Sequence, residues 1–308
     1  MTKFFSPGRW LMAAGLLATP LSALACACGC GVFEVGTGSL LPESSGLSVF
    51  VQTSYLDQSD NWSGSSSAAA AANEDKHVRS EFYAVGVREM FNRDWGLTVQ
   101  LPYTQRHFAT LDEDSDSLGV FDHGAIGDIR ITGTYAGFSD DMSSGVSFGI
   151  KLANGDWKYP GFDRDTEIGS GSTDVLLGAY QQTHFGNSQW SGYAQALLDA
   201  PVHSQAGYRP GNELDAAFGM YPQSRRLGSG VRLTPVLQAL VSFRRPDSGP
   251  ESDPESTGYN RLLAAPGLEL QLRHVRLFLD VEAPLLQNVR GNQLVAPWQA
   301  KFTASFKL

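Results

Sequence analysis

Cysteine is nearly absent: three residues in 308, all between positions 26 and 30. A fold stapled by disulfides is therefore excluded. Long apolar runs are missing too. Past residue 25 no stretch approaches 18 consecutive apolar residues, which excludes a membrane-spanning helix. Charge is sparse, at 18% Asp, Glu, Lys and Arg, and the formal net charge is −9 with no basic stripe. That balance argues against a nucleic-acid partner. Glycine, by contrast, is abundant, with 33 residues, as tight turns and crowded strands require.

The N-terminus has the layout of a secretory leader. Lys3 and Arg9 supply positive charge, Trp10 to Leu24 an apolar stretch, and Ala23-Leu24-Ala25 a small-residue cleavage site. The apolar stretch is shorter than the roughly 20 residues a spanning helix needs, so residues 1–25 read as a signal peptide. The sequence predicts a Cys-rich periplasmic segment over 26–45 and one barrel domain over 46–308.

From Gly46 to Leu308 the chain alternates apolar and polar residues in twelve stretches, and the gaps between them alternate long and short. The predicted strands are 46–57, 78–91, 95–107, 124–138, 144–153 and 173–184, then 190–200, 212–221, 230–244, 259–272, 275–283 and 298–308. In 95–107, Trp95, Leu97, Val99, Leu101 and Tyr103 share one face, while Thr98, Gln100, Thr104 and Arg106 share the other. Period-two patterning of this kind is a strand with two different solvents. Short turns fall at Asn92-Arg93-Asp94, Ser139-Asp140-Asp141, Gly186-Asn187-Ser188 and Arg273-His274. The first long gap carries five alanines and a Ser-Gly tip and reads as low-complexity chain that need not pack.

A soluble sandwich has no reason to sort its turns by length, but a membrane barrel does, because its hairpins return to two surfaces in strict order. The fold class expected is all-β, a transmembrane antiparallel up-and-down β-barrel of about twelve strands. An even count puts both termini on the short-turn side, which is periplasmic in bacterial outer-membrane barrels. Trp95, Tyr103, Tyr135, Tyr193 and Trp298 sit near strand ends, as interfacial girdles do. Outer-membrane lipid and lipopolysaccharide are the expected surroundings.

Several motifs resemble a known group. Leu101-Pro102-Tyr103 ends one strand, and Gly124-Ala125-Ile126-Gly127-Asp128 opens the next. Lys151-Leu152-Ala153-Asn154-Gly155-Asp156 follows, then Ile168-Gly169-Ser170-Gly171-Ser172-Thr173-Asp174 running into Leu177-Gly178-Ala179-Tyr180. This order resembles bacterial outer-membrane "transporter" proteins of the MetA-pathway phenol-degradation kind. The likeness covers roughly Phe91 to Tyr180 by motif and the rest by barrel pattern. It implies a channel or binder for small, often hydrophobic solutes.

Strand parity puts Arg88, Arg106, Arg130, Lys151, Arg232, Arg276 and Lys301 in the lumen, with Asp128, Asp280 and Glu282. Eight-stranded barrels are filled by side chains and 16-stranded ones hold a water channel, so twelve strands predict a narrow or gated bore. Asp128 and Asp174 each follow a Gly-rich turn, where a carboxylate either accepts backbone N–H bonds or holds a cation. The cluster Asp112, Glu113, Asp114 and Asp116 reads as a solvated loop or a bridge to anionic lipid.

Cys26, Cys28 and Cys30 are too close for comfortable neighbouring disulfides, and an odd count leaves one thiol over. They are candidate ligands for Cu(I) or Zn(II), which soft thiolates favour. No other cofactor is implied. This motif supports the alternative function, an outer-membrane component of copper or redox handling, and the same segment could dock a periplasmic protein. Lipid attachment at Cys26 is a further option. An enzyme is not expected: His203-Ser204 lacks a partner, His184 and Ser188 straddle a short turn, and Gly169-Ser170-Gly171-Ser172 lacks the spacing of a nucleophile elbow.

Overall fold

The computed structural model describes residues 35–112, 117–228 and 230–308. Strand follows strand: β1 (Gly46–Gln58), β2 (Asp60–Gly64), β3 (Ser66–Ser67), β4 (Asp75–Met90), β5 (Trp95–Leu111), β6 (Leu118–Ile126), β7 (Arg130–Tyr135) and β8 (Ser144–Lys151). They are followed by β9 (Ser172–His184), β10 (Trp190–Ser204), β11 (Glu213–Pro222), β12 (Arg225–Gly228), β13 (Val231–Arg244), β14 (Tyr259–Gln271), β15 (Val275–Val295) and β16 (Gln299–Lys307). The helical elements among them are two single 3₁₀ turns, Gly38–Leu40 and Ala70–Ala72.

Each stave pairs antiparallel with its sequence neighbour, and β1 closes on β16 in a continuous register from Ser48↔Lys307 to Leu56↔Gln299. Twelve staves form the closed barrel. β6 and β7 share one stave, while β2, β3 and β12 are short additions at its rims. Closure gives the staves hydrogen-bonded neighbours on both sides through the barrel wall, which is what hydrocarbon demands, while β6 pairs with β5 alone.

The barrel is inside-out. Val85, Val87, Leu97, Val99 and Leu101 are exposed on the outer wall, whereas Ser80, Thr104, Arg106, Asp280, Glu282, Lys301 and Thr303 are buried within. Aromatic pairs bracket the apolar band. Trp95 lies 4.8 Å from Tyr135 near the short-turn rim, and Tyr83 lies 6.3 Å from Tyr103 nearer the long-loop rim. Trp95 and Tyr103 are eight positions apart, about 26 Å along a strand, or about 20 Å of wall height at the tilt of about 35–45° usual in such barrels.

Four features depart from the predicted layout. The stretch predicted as one strand over 124–138 is two: β5 pairs with β6 from Tyr103 to Leu111, and with β7 from Trp95 to Gln100. Pro102 stands opposite the break and has no N–H to give, though its oxygen accepts from Gly127 at 3.0 Å. β15 runs on to Val295 and pairs with β2, so the alanine-rich gap is partly ordered sheet rather than idle chain. β5 and β6 continue as a hairpin up to Leu111↔Leu118. Finally, the segment 35–45, expected as a periplasmic stub, lies inside the barrel, where its apolar side chains are removed from water.

Candidate functional site: the lumen

Two chain segments enter the barrel from opposite ends. From the short-turn rim, residues 35–45 climb inward. Val35 is 1% exposed and packs among Tyr193, Ala217, Leu240 and Leu263. The ε-ammonium of Lys301 donates to the Val35 oxygen at 2.9 Å, and the Gly36 N–H donates to Gln195 Oε1 at 3.3 Å. Gly36 has φ +86°, and a Cβ there would stand 2.7 Å from Leu240 Cδ2, so this bend admits only glycine. Lower down, Arg276 grips Glu43 through both nitrogens at 2.9 and 2.6 Å, and Lys307 reaches Ser44 Oγ at 2.5 Å.

From the long-loop rim the segment 152–171 folds inward. Its hub is Asp128, whose carboxylate accepts from Gly155 N at 2.9 Å and from Ser170 N and Oγ at 2.8 and 2.5 Å. His123 stacks on Tyr159 at 3.8 Å and binds Asp156 at 2.8 Å. Phe162 packs edge-on against Phe108 at 5.6 Å, with Val78 and Leu294 completing an apolar knot. The Arg106 guanidinium donates to the Thr166 and Glu167 carbonyls from below. On this segment burial raises the carboxyls of Asp165 and Glu167 to about 7, with Asp247 adding to the rise at Asp165.

Between the two plugs lie two cavities. The upper one is about 230 Å³ and is lined by Asp165, Glu167, Glu213, Asp215 and Arg244 among others. The lower one is about 170 Å³ and lies against Leu40, Leu41 and Pro42 of the N-terminal segment. Gln100, Arg130 and Leu197 line both. At their boundary Lys151 bridges Asp174 and Asp199, and Arg130 stands 3.8 Å from Asp199. One charged layer thus divides the bore.

The residues predicted to line the lumen fall as follows. Arg106, Arg130 and Lys151 stand in or beside the upper cavity, with Asp128 at its wall. Arg88 lines the lower cavity, and Arg276 the vestibule below it. Asp280, Glu282 and Lys301 form a buried knot on the opposite wall, where Lys301 lies 3.3 Å from Glu282 and Gln238 donates to Asp280 at 2.8 Å. Arg232 is exposed, in register with Arg226 of the short β12 ribbon at the short-turn rim. Cys26, Cys28, Cys30 and the leader lie outside the described residues, as do residues 113–116 of the acidic cluster.

Sequence reasoning overlooked Asp199, Asp165 and Glu167, and it put Arg244 on the polar face of its strand without counting it among the lumenal residues. Asp199 could have been found, because Leu197 and Asp199 hold one parity in β10 with Tyr193 and Gln195. It also passed over a Gly-x-Ser-x-Gly run, Gly145 to Gly149. That run is extended strand in β8, not the strand-to-helix turn of a nucleophile elbow. His184 meets Ser191 rather than Ser188, at 2.6 Å, and no carboxylate pairs with it among the described residues.

No protein-family model matches the chain, and no curated protein matches it in sequence. Solved structures do. An outer-membrane channel from Pseudomonas putida F1 superposes with a TM-score of 0.65 at 11% identity, covering 89% of this chain and 100% of that one. The β-domain of the Bordetella autotransporter BrkA gives 0.53 at 10% identity, over 86% and 100%. At these identities the likeness is one of fold: this chain is built as the outer-membrane barrels are.

Proposed function

We propose that the protein is a passive outer-membrane channel for small solutes, with its short-turn rim and both chain ends on the periplasmic side. One observation carries the reading: the bore holds two chambers in series, of about 230 and 170 Å³, separated by a single charged layer and stoppered by short segments rather than a folded domain. A purely structural barrel has no need of chambers, and packed cores leave few voids larger than water. The similarity in fold to the Pseudomonas channel supports the same reading, as does the motif likeness to MetA-pathway proteins. Outer-membrane lipid and lipopolysaccharide would contact the exposed apolar wall.

The N-terminal segment is the natural gate. Its hold on the barrel combines Val35 burial with the Lys301, Gln195 and Arg276 contacts. The test is conductance in planar bilayers of the full protein and of a variant lacking residues 35–42. Small, flickering steps that become large and steady on deletion are expected. Silence from both proteins, once correctly folded, would end the channel reading.

A further inference from the structure

The lower cavity has an unusual electrostatic balance. Arg276, Arg244, Lys301 and Lys151 each meet a carboxylate in the bore, at Glu43, Asp247, Glu282 and the Asp174–Asp199 pair. Arg88 does not. Its guanidinium has no hydrogen bond or ion pair among the described residues. It projects into a chamber whose lining, among the described residues, contains no Asp or Glu. The nearby carboxylate of Glu43 is already taken up by both nitrogens of Arg276. An Arg withdrawn from bulk water without a counter-charge is costly, unless something else supplies one.

The rest of the chamber indicates what that is. Strand register sets Arg88 opposite Thr98, and Thr98 opposite Thr132, so hydroxyls lie in one row with the guanidinium across β4, β5 and β7. Arg130, partly engaged with Asp199, adds a second positive group at the upper end. Apolar side chains flank this row: Phe50 on β1 beside Arg88, and Leu176 and Leu197 on β9 and β10. The phenol of Tyr180 is turned away, donating to the Met142 oxygen at 3.1 Å. A chamber of about 170 Å³ is close in size to apolar cavities of about 150 Å³ that admit one benzene ring.

Building on the channel reading above, we propose that this chamber binds small organic acids, with the carboxylate on Arg88 and the apolar body against Leu176, Leu197 and Phe50. A planar guanidinium presents parallel N–H donors matched to a carboxylate. The exit supports the assignment. Arg88 also lines the vestibule at the short-turn rim, where Arg273 and Lys307 gather beside the Arg276–Glu43 pair. An anion released from Arg88 meets further positive charge on the way out. In the upper chamber Lys151, Arg130 and Arg244 stand against carboxylates and Arg164 donates to main-chain oxygens, whereas Arg88 in the lower one has no such partner among the described residues.

The experiment is a ¹⁹F NMR titration of the full-length protein, purified in detergent, with 4-fluorobenzoate, and with neutral 4-fluorobenzyl alcohol as the control. Saturable broadening of the benzoate signal is expected, with the alcohol at least tenfold weaker. Arg88→Gln should weaken benzoate binding tenfold or more, and Arg88→Lys by less. Equal binding of acid and alcohol, or equal binding of benzoate by wild type and Arg88→Gln, overturns the proposal. Should Arg88→Gln fail to fold, Leu197→Trp fills the chamber from another strand and must abolish benzoate binding if the site is the right one. Conductance is read separately. Binding without conductance leaves this inference standing and removes the channel, while conductance without binding does the reverse.

Discussion

Lys301 and Val35 meet across 266 residues of sequence, the side-chain ammonium of one donating to the main-chain oxygen of the other at 2.9 Å. The contact ties the last strand of the barrel to the segment that stoppers it. Lys301 is 1% exposed and also ion-pairs Glu282 at 3.3 Å, so it serves wall and stopper together.

Lys301→Met should therefore loosen both. Removing one partner of a buried pair typically costs about 3–5 kcal/mol because the other charge is left behind. Adding Glu282→Leu removes that stranded charge. The double variant is expected to recover most of the barrel's resistance to urea while keeping a wider conductance, because the hydrogen bond to Val35 stays lost. Recovery of the wild-type conductance along with stability would show that Lys301 does not hold the segment.

The Asp128 hub predicts a second effect. Its carboxylate takes three hydrogen bonds from the 152–171 segment, and bonds to a charged acceptor are worth about 1.5–3 kcal/mol each. Asp128→Ala should free the segment without opening the barrel. Trypsin cleavage at Lys158 and Arg164 is expected to speed up at least tenfold, with heat-modifiable migration unchanged. Unaltered cleavage would mean that the Phe162 knot alone seats the segment.

How much of this was legible in the chain depends on how local each feature is. The twelve staves could be read off because period two and turn residues are properties of neighbours in sequence, as in Trp95 to Tyr103. The β6–β7 break is hidden because a continuous strand over 124–138 implies one parity throughout. In fact Phe121, His123 and Ala125 face inward at odd positions, while Arg130, Thr132 and Thr134 do so at even ones. A one-residue slip at 127–129 exchanges the faces. The stopper left a faint trace, Val35, Leu40 and Leu41 standing apolar outside any strand. Its partners Leu240 and Lys301 lie over 200 residues away, where no local pattern reaches. The lumenal parity of Arg88 was readable, but its lack of a counter-charge is a fact of three dimensions.

A pH dependence follows from the same segment. Burial raises Asp165 and Glu167 to about 7, above the ordinary carboxyl values near 4. The packed segment therefore binds more protons than the released one between about pH 4 and 7, so its packing weakens as pH rises through that window and reaches its minimum above 7. Hydrogen exchange over residues 157–168, corrected for intrinsic rates, should be faster at pH 8 than at pH 5.5. The Asp165→Asn, Glu167→Gln variant should flatten the difference. A segment equally protected at both pH values would place these carboxyls near their ordinary range.

The outer wall offers the most direct test of which solvent each face meets. Val99 and Gln100 are neighbours in β5, the first paired with Val87 among exposed apolar side chains and the second lining both chambers. If the wall faces lipid, Val99→Arg puts a charge near the middle of the apolar band and should cost about 2–4 kcal/mol. Gln100→Arg points into the bore, beside the Asp199 carboxylate that Arg130 already approaches at 3.8 Å, and should cost far less. Urea unfolding in phospholipid vesicles measures both. A soluble sheet would give the opposite order, since an exposed Arg is harmless in water while a second Arg in a confined interior is not. The sign of the difference between two adjacent residues thus decides whether the barrel lives in a membrane.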